Sequence, residues 1–534
     1  MMPKNTGTAT KKFSRSFAWL LLAVLALAVL SGPVAAAPSK RSMEKSIKRS
    51  LETFHVPGMA VSVVKDGKVV YAGGEGVIEA GGEQRVDADT LFQIGSVSKA
   101  FTTAALAILV DGGQLGWDDR VIDYLPEFRM QDPWVTREFT IRDLLTHRSG
   151  LPLGAGDLLL FPQATSTVDE IIHALRYLTP STSFRSEFAY DNLMFIVAGE
   201  VVARVSGMPF EDFLEQRLLS PLGMDDCSAT LERVKPGLVK ATPHMLVGGQ
   251  LETTLSGITP VSSAAGGINC SARSMTRWMN FMLNRGVTQE GVRVISEAQV
   301  DQLLKPVTML PTRSYMAEHA GTFLSAYALG WDISTFYGQP MISHSGGVLG
   351  MTTFLVLLPN EDLGIFVSNN QMSPAPRAVA NDLADQFLKG RSRDAGQDWI
   401  AIISDLYSAI QSEGAATVAD ADAARNADSR PSLPLSAYTG TYRDNWYGDI
   451  SITQDDDGRL WFQSGRSEAL HGALEHFQYD TFIARWDDRR LNADAYVSFT
   501  MSPEGRIERI RMKAVSPTTD FSFDFHDLDL RRVE

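Results

Sequence analysis

The stretch "LFQIGSVSKAFTTAALAILV", residues Leu91 to Val110, determines how the first part of this chain folds. A β-prone start leads into a predicted helix from about Ser98 to Asp111 that is apolar on every side, so protein must surround it. Ser96 and Lys99 lie at the start of this helix, where side chains three residues apart are neighbours at about 5–6 Å. The pair is therefore either a nucleophile with its base or an ordinary capped helix end.

The spacing S-x-x-K is weak support for catalysis on its own, because it occurs twice more, at residues 42–45 and 62–65. The first of these lies in a basic stretch, and the second lies in a predicted strand, where residues three apart point to opposite faces. Only Ser96 and Lys99 open a buried helix. Burial at the positive end of a helix disfavours a charged lysine, so Lys99 could accept the proton of the Ser96 hydroxyl.

A phenol and an amide lie two residues apart in "EFAYDNLMF", residues 187–195, just before another apolar helix. A tyrosine beside a lysine could exist partly as phenolate, so Tyr190 could move protons, and Asn192 could hold a substrate carbonyl. Asp191, between them, is expected to point to solvent. By itself this spacing is commonplace and typical of structural residues.

A third stretch, "MISHSGGVLGMTTFLVLL" at residues 341–358, is predicted to be an apolar strand. Glycines let a substrate backbone approach the edge of a strand closely. The N–H of Gly347 could therefore donate to an oxyanion together with that of Ser96. By itself the stretch could also be a plain strand entry.

In this order, S-x-x-K on a helix, Y-x-N after a helical region and H-S-G on a late strand resemble the signature of the penicillin-recognising serine hydrolases. The chain is similar to their class C β-lactamase-like branch, which also holds DD-peptidases, D-aminopeptidases and esterases. Three other stretches resemble segments of that family, namely "TIRDLLTHRSGLP", "SSAAGGINCSARSMTRWMNF" and "YALGW". The resemblance covers about residues 43–388.

The resemblance implies an α+β, beta-lactamase/transpeptidase-like fold, with an antiparallel sheet flanked by helices and a helical subdomain. It also implies that Ser96 is acylated and that Lys99 and Tyr190 share proton transfer. His147, in "THRSGL", is interpreted as structural. Neither a metal nor an organic cofactor is implied. The residues with an implied role in substrate binding are Asn192, His344, Ser345, Gly346 and Gly347.

His344 departs from the family pattern, since related β-lactamases and DD-peptidases usually carry lysine there. Histidine is largely neutral at pH 7, so it offers no fixed charge to the carboxylate of a β-lactam. This favours a hydrolase of small esters or of D-amino-acid-containing peptides or amides, with at most weak β-lactamase activity. The alternatives are a low-molecular-weight penicillin-binding protein that acts as a DD-carboxypeptidase on peptidoglycan, and a non-catalytic protein that binds wall peptides.

The N-terminus carries basic residues, the apolar run "AWLLLAVLALAVL" at residues 18–30, and then Ala35 to Ala37. This order is typical of a secretory signal peptide, here residues 1–37. The run is shorter than the ~20 residues of a spanning helix, although an uncleaved anchor is the alternative. We therefore expect a bacterial protein exported across the inner membrane to the periplasm or the exterior, with no stable membrane anchor after cleavage.

The rest of the chain is predicted to form a catalytic domain at residues 38–390, a helical segment and linker at 391–434, and an antiparallel β domain at 435–534. In the middle segment the helix is predicted over Trp399 to Ile410, and an Ala/Asp-rich linker follows it. Strand patterns at both ends of the first domain predict one sheet in which its ends meet. The last domain resembles the lipocalin-like domains that follow many such hydrolases, and a barrel or a sandwich would fit its short strands. Its aromatic residues are interpreted as core.

The formal net charge of −14 over 534 residues argues against binding of nucleic acid, since such surfaces are basic and clustered. The expected partner is a small ester, amide or peptide substrate. The sequence leaves open the oligomeric state and whether Cys227 and Cys270 form a disulfide.

Overall fold

The computed structural model describes residues 1, 3–4, 37–389 and 395–533. The predicted signal peptide lies outside these residues almost entirely, as does the predicted domain boundary at residue 390. In the described part of the chain no single helix has the length and apolar composition to cross a membrane, and one pair of helices bent by 77° meets that test jointly.

Helices make up much of the first domain and the connection to the second. In the described residues the α-helices are α1 (Lys40–Phe54), α2 (Ser98–Asp111), α3 (Val121–Tyr124), α4 (Pro133–Glu138), α5 (Ile141–Leu144), α6 (Val168–Ala174), α7 (Leu193–Ser206), α8 (Phe210–Leu214), α9 (Ser263–Gly266), α10 (Ala272–Leu283), α11 (Glu297–Leu304), α12 (Ser314–Ala320), α13 (Ala375–Leu388) and α14 (Trp399–Ala424).

Strands form the central sheet of the first domain, two small ribbons and the whole of the second domain. They are β1 (Gly58–Lys65), β2 (Lys68–Gly76), β3 (Leu91–Gln93), β4 (His244–Val247), β5 (Gln250–Thr253), β6 (Asn269–Ser271), β7 (Thr308–Met309), β8 (Ser325–Tyr327), β9 (Asp332–Phe336), β10 (Gln339–Val348), β11 (Met351–Leu358), β12 (Leu363–Asn369), β13 (Gly440–Asp444), β14 (Gly448–Gln454), β15 (Leu460–Ser464), β16 (His471–Gln478), β17 (Thr481–Trp486), β18 (Ala495–Met501), β19 (Ile507–Ala514) and β20 (Leu530–Arg532).

The central sheet has eight strands in the order β2-β1-β12-β11-β10-β9-β8-β7. Strand β1 pairs antiparallel with β12, with Met59 opposite Asn369 and Lys65 opposite Leu363. The two ends of the catalytic domain therefore meet in one sheet, as the strand pattern predicted. The predicted α+β fold is confirmed.

Both faces of this sheet are covered, because alternate residues of a strand point to opposite sides. Phe354 and Val356 of β11 belong to the core that includes residues of α1, α13 and the start of α14. Leu355 and Leu357 point the other way, into the core that includes α2, α7 and α10. This explains why the strand reads as an unbroken apolar run.

Helix α2 is the buried helix that the opening stretch predicts. Its Phe101 has no exposed surface, and the ring stacks on that of Trp278 with centroids 3.9 Å apart. Removing such a buried ring costs about 3–5 kcal/mol. The start of α2, which carries Lys99, is thereby held against the rest of the domain.

Helix α14 corrects the predicted linker. The helical pattern was expected to end near Ile410, but α14 continues through the Ala/Asp-rich stretch to Ala424. Alanine has the highest helix propensity, and the Asp398 side chain caps the helix by accepting from the Ala401 N–H at 3.1 Å. The irregular part of the linker is shorter than predicted for this reason.

The second domain is a closed eight-stranded barrel formed by β13 to β20. Closure decides between the barrel and the sandwich that the sequence allowed. Trp461 is half-buried and stacks on His471 with centroids 5.1 Å apart. The other aromatic residues predicted as core are buried, and they are Tyr438, Tyr442, Trp446, Phe462, Phe477 and Trp486.

The cysteines form a disulfide between Cys227 and Cys270, which lie 43 residues apart. Cys270 lies in β6, opposite Phe92 of β3. Since β3 leads directly into the turn that carries Ser96, the disulfide braces the strand pair next to that turn.

Candidate active site

The side chains of Ser96 and Lys99 meet where β3 ends and α2 begins. Lys99 Nζ lies 3.1 Å from Ser96 Oγ, 2.7 Å from Asn192 Oδ1 and 2.8 Å from the carbonyl oxygen of Ala265. A neutral lysine has two hydrogens and one lone pair. Because the amide and carbonyl oxygens can only accept, they take the two hydrogens, and the lone pair faces the serine hydroxyl.

Burial favours this neutral form of Lys99. The side chain has no exposed surface, and burial lowers its pKa to about 7, although Asp157 and Asp191 oppose the change. The rings of Tyr190 and Phe195 lie 4.8 and 5.2 Å from Nζ. A large fraction of Lys99 is thus a free base at neutral pH, which a serine nucleophile requires.

Tyr190 lies beside this pair as a phenol. Burial raises the pKa of Tyr190 far above its ordinary value, and the neighbouring Ser96 hydroxyl only partly offsets that rise. The expectation of a partial phenolate is therefore wrong for the resting site. Tyr190 can still relay a proton in its neutral form, since a phenol both donates and accepts.

Asp191 is the clearest difference from the sequence prediction, which pointed it to solvent. Its carboxylate is fully buried and accepts hydrogen bonds from Ser149 Oγ at 3.1 Å and from the Leu193 N–H at 3.0 Å. The first N–H groups of a helix lack partners within it, and Asp191 serves one of these at the start of α7. Burial raises its pKa to about 6.

His147 has the structural place that its motif suggests. Its Nδ1 accepts the backbone N–H of Asp191 at 3.0 Å, and its ring lies 4.1 Å from that of Tyr190. Burial lowers the pKa of His147, so the ring is neutral. It packs against the ring of Tyr190 and, through the hydrogen bond from the Asp191 N–H, holds the backbone between Tyr190 and Asn192.

Strand β10 carries the third motif along the cleft. His344 is buried, and its Nε2 lies 2.8 Å from the hydroxyl of Tyr327. Burial lowers the pKa of His344 to about 4, so this ring is neutral, as expected. Ser345 and Gly347 are the exposed positions of the motif.

Gly346 lets the strand press against the nucleophile turn. A Cβ atom at this position would lie 1.9 Å from the carbonyl oxygen of Ile94 and 3.2 Å from the backbone nitrogen of Ser96. Only glycine fits such an approach. The strand is thereby held close to the turn that carries Ser96, whose N–H is expected to form the oxyanion hole with that of Gly347.

Two cavities of about 520 and 600 Å³ flank the nucleophile and share Ser96, Asn192 and Gly347. The lining of the first includes the charged and polar residues Arg313, Asp332, Ser343, His344, Ser345 and Arg377. The lining of the second includes the apolar residues Leu160, Phe161, Met245, Leu246, Leu349 and Met372, beside polar ones such as Asp157, Gln411 and Asn492. The segments at residues 151–183 and 236–255 both contribute to the second cavity.

The barrel also reaches into the cleft, through residues 516–524 between β19 and β20, here called the cleft segment. The Phe521 ring meets that of Tyr190 edge-on at 5.9 Å, and the Phe523 ring lies 5.1 Å from that of Phe161. The C-terminal domain therefore forms part of the active site.

Sequence reasoning missed Asp157, Tyr327 and the whole cleft segment. Asp157 lies five residues after the family-like stretch that ends "SGLP" at Pro152, and this closeness was the one available signal. Ser522 touches Asp157 across 365 positions of sequence, and no local pattern reports such a contact. In the described residues, no cluster of three or more His, Cys, Asp or Glu side chains could hold a metal ion.

The chain is similar to known proteins over most of its length. The family model described as Beta-lactamase matches residues 43–389, and the one described as a domain of unknown function, DUF3471, matches residues 424–532. An unguisins hydrolase of Aspergillus campestris is 28% identical over 88% of each chain.

Two solved structures share the fold. The octameric penicillin-binding protein homologue from Pyrococcus abyssi has a TM-score of 0.58 at 20% identity, covering 92% of this chain and 99% of that one. The class C beta-lactamase from Rhodobacter sphaeroides has a TM-score of 0.52 at 21% identity, covering 65% of this chain and 99% of that one. The chain belongs to the beta-lactamase family, as a class C-like serine hydrolase with a C-terminal eight-stranded β-barrel domain.

Proposed function

We propose that this protein cleaves small esters or D-amino-acid-containing peptides or amides through an acyl-enzyme on Ser96, with at most weak β-lactamase activity. The observation that carries the mechanism is the set of contacts around Lys99 Nζ, which direct its lone pair at the serine hydroxyl. The substrate is the expected partner, and no cofactor enters any step.

In the proposed reaction Ser96 Oγ attacks the substrate carbonyl carbon while Lys99 accepts the hydroxyl proton. The N–H groups of Ser96 and Gly347 donate to the oxyanion that forms. The bond to the leaving group then breaks, and the leaving group receives the proton from Lys99, directly or through Tyr190. Water attacks the acyl-enzyme with the same pair as base, which releases the acid and restores Ser96.

The cleft supports a substrate with groups on both sides of the scissile bond, since a cavity lies on each side of Ser96. Because His344 is neutral and offers no fixed charge to a β-lactam carboxylate, it supports the proposal that activity on β-lactams is weak at most. Arg313 and Arg377 also line the first cavity, so its cationic groups come from residues other than position 344. The relative named as an unguisins hydrolase matches most of both domains, which supports hydrolysis by the same two-domain arrangement.

We also propose that the protein is exported to the periplasm or the exterior. The basic residues, the apolar run and the small residues that end at Ala37 support this place. The disulfide between Cys227 and Cys270 is also typical of an oxidising compartment.

The test uses the chain from Pro38 onward and its Ser96→Ala variant. Turnover is measured on a short-chain p-nitrophenyl ester, a D-alanine p-nitroanilide and a cephalosporin. We expect the ester or the anilide to be turned over best, and loss of Ser96 to reduce kcat by several orders of magnitude, up to ~10⁶-fold.

Each outcome of this test separates the alternatives. Fast trapping by penicillin with slow release would favour a low-molecular-weight penicillin-binding protein. If none of the substrates is turned over, or if Ser96→Ala keeps the activity, the acyl-enzyme mechanism is wrong and binding of wall peptides becomes the better explanation.

A further inference from the structure

A buried chain of hydrogen bonds joins the barrel to the catalytic lysine. Ser522 Oγ, in the cleft segment, donates to Asp157 Oδ2 at 2.9 Å. Asn192 Nδ2 donates to the same oxygen at 2.8 Å, and Asn192 Oδ1 accepts from Lys99 Nζ at 2.7 Å. Three consecutive hydrogen bonds therefore connect the second domain to the proposed base.

Asp157 determines which end of the Asn192 amide faces Lys99. Its Oδ2 accepts from the NH₂ end of the amide, which leaves the amide oxygen to accept from the lysine. If the amide were reversed, its NH₂ group would point at Nζ and compete with the Ser96 hydroxyl for the lone pair. The orientation of Asn192 is thus a condition for a lysine that can act as base.

The barrel also holds the backbone around Asp157. The Asp524 carboxylate accepts the N–H of Gly156 at 2.7 Å and that of Leu158 at 3.0 Å, on either side of Asp157. Gly154 has a φ of +73°, and a Cβ atom there would lie 2.8 Å from the carbonyl oxygen of Phe521. This glycine allows the backbone of the cleft segment to approach the turn.

The protonation of the Asp157 carboxyl group is coupled to that of Lys99. Asp157 is 1% exposed, and its Oδ1 has no hydrogen-bond partner among the described residues. Burial raises the pKa of Asp157 to about 8, against the effect of Lys99, while Asp157 raises that of Lys99. Two groups coupled in this way titrate as a pair.

We propose that Asp157 is a positioning residue for Lys99, and that the barrel holds it in place through Ser522 and Asp524. The inference rests on the proposed function, because it assumes that Lys99 is the base. It gives the C-terminal domain a role in catalysis, since the first domain alone supplies only part of the support for Asp157.

The first test is Asp157→Asn in the full chain from Pro38. The asparagine oxygen can accept both hydrogen bonds, but asparagine cannot ionise. The share of negative charge that Asp157 carries while the pair titrates is therefore lost, and the pKa of Lys99 falls. At low pH, kcat/KM on a p-nitrophenyl ester falls as the base of the free enzyme becomes protonated, and this part of the pH profile is called the acid limb. In the wild type we expect the midpoint of the acid limb near pH 7. In the variant it should move to lower pH by roughly half a unit to one unit, with KM changed little.

The second variant, Ser522→Ala, tests the contribution of the barrel. It removes a donor to the Asp157 carboxylate, which makes the anion less stable, so the limb should move in the same direction by a smaller amount. Thr519→Ala is the matched control, because its hydroxyl contacts the carbonyl of Asn492 instead. This control should leave the limb where it is.

Labelling of Ser96 by an alkyl fluorophosphonate, followed by mass spectrometry across pH, separates the two levels of the proposal. A wild-type protein with neither labelling nor ester turnover would overturn the proposed function and this inference together. If Ser96 reacts but folded Asp157→Asn has the wild-type pH dependence, only the inference is overturned. If Asp157→Asn does not fold, an unmoved limb in Ser522→Ala overturns it equally.

Discussion

Residue 344 sets the charge that β10 presents to the first cavity. His344 is neutral because burial lowers its pKa to about 4, even though Asp332 opposes that change. A lysine at this position would bring an ammonium group next to Asp332, a partner that favours its charged form. Position 344 is therefore where a single change could alter the preference for anionic substrates.

We expect His344→Lys to raise kcat/KM for a cephalosporin at least tenfold (about 1.4 kcal/mol of transition-state stabilisation), because the added charge attracts the substrate carboxylate. His344→Gln is the matched neutral control and should give no such gain. Both values are measured by steady-state hydrolysis at pH 7. A His344→Lys enzyme no better than His344→Gln would contradict the link between this charge and β-lactam turnover.

At the level of elements, the site depends on how closely β10 packs against the turn between β3 and α2. The Gly346 backbone is in contact with Ile94, and a side chain there has no room. Gly347, the next residue, would place a Cβ atom in open space, with nothing within 4 Å. The two adjacent glycines thus have different reasons to be present.

We predict that Gly346→Ala displaces the Ser96 turn. Overpacking of this kind costs about 1–3 kcal/mol, and a shift of about 1 Å at a catalytic group can cost ~10²-fold in rate. Both Tm and kcat/KM on the ester should therefore fall. Gly347→Ala serves as the control for stability alone and should keep the wild-type Tm. Equal Tm values for both variants would show that the strand does not press on the turn.

For the whole molecule, the disulfide restricts the unfolded chain as well as bracing β6. It closes a loop between residues 43 positions apart, for which the chain-entropy model gives about 4 kcal/mol of stabilisation. Export to an oxidising compartment would let it form. The disulfide therefore links the proposed location of the protein to its stability.

The double variant Cys227→Ser with Cys270→Ser should lower the free energy of unfolding by about 3–4 kcal/mol for this reason. Urea titrations with and without dithiothreitol measure it. Reductant should lower the midpoint of the wild type and leave that of the double variant unchanged. An insensitive wild type would mean that the disulfide does not contribute to stability.

Much of the candidate site could be predicted from short sequence patterns, because interactions between residues close in the chain determine its helix start and its motifs. The apolar pattern of α2 and each of the three motifs lie within short stretches of chain. Ser96, Lys99 and Asn192 come together as their motifs predicted. The prediction that Asp191 points to solvent was wrong, because its burial involves the contact with Ser149. The helix predicted in the linker was too short, because the helix propensity of alanine outweighs a composition that resembles a loop.

By itself the sequence predicted the α+β fold class, Ser96 as the nucleophile with Lys99, a neutral histidine at position 344 and a separate β domain. The apolar pattern predicts the fold class and the β domain, the motif spacing together with the family resemblance predicts the serine–lysine pair, and the ordinary pKa of histidine predicts its neutral form. Only the tertiary structure decided that the barrel closes, that the two cysteines pair, and that Asp157 and Ser522 meet behind Asn192. These contacts join residues far apart in the chain, and their formation depends on the packing of whole elements rather than on any local pattern.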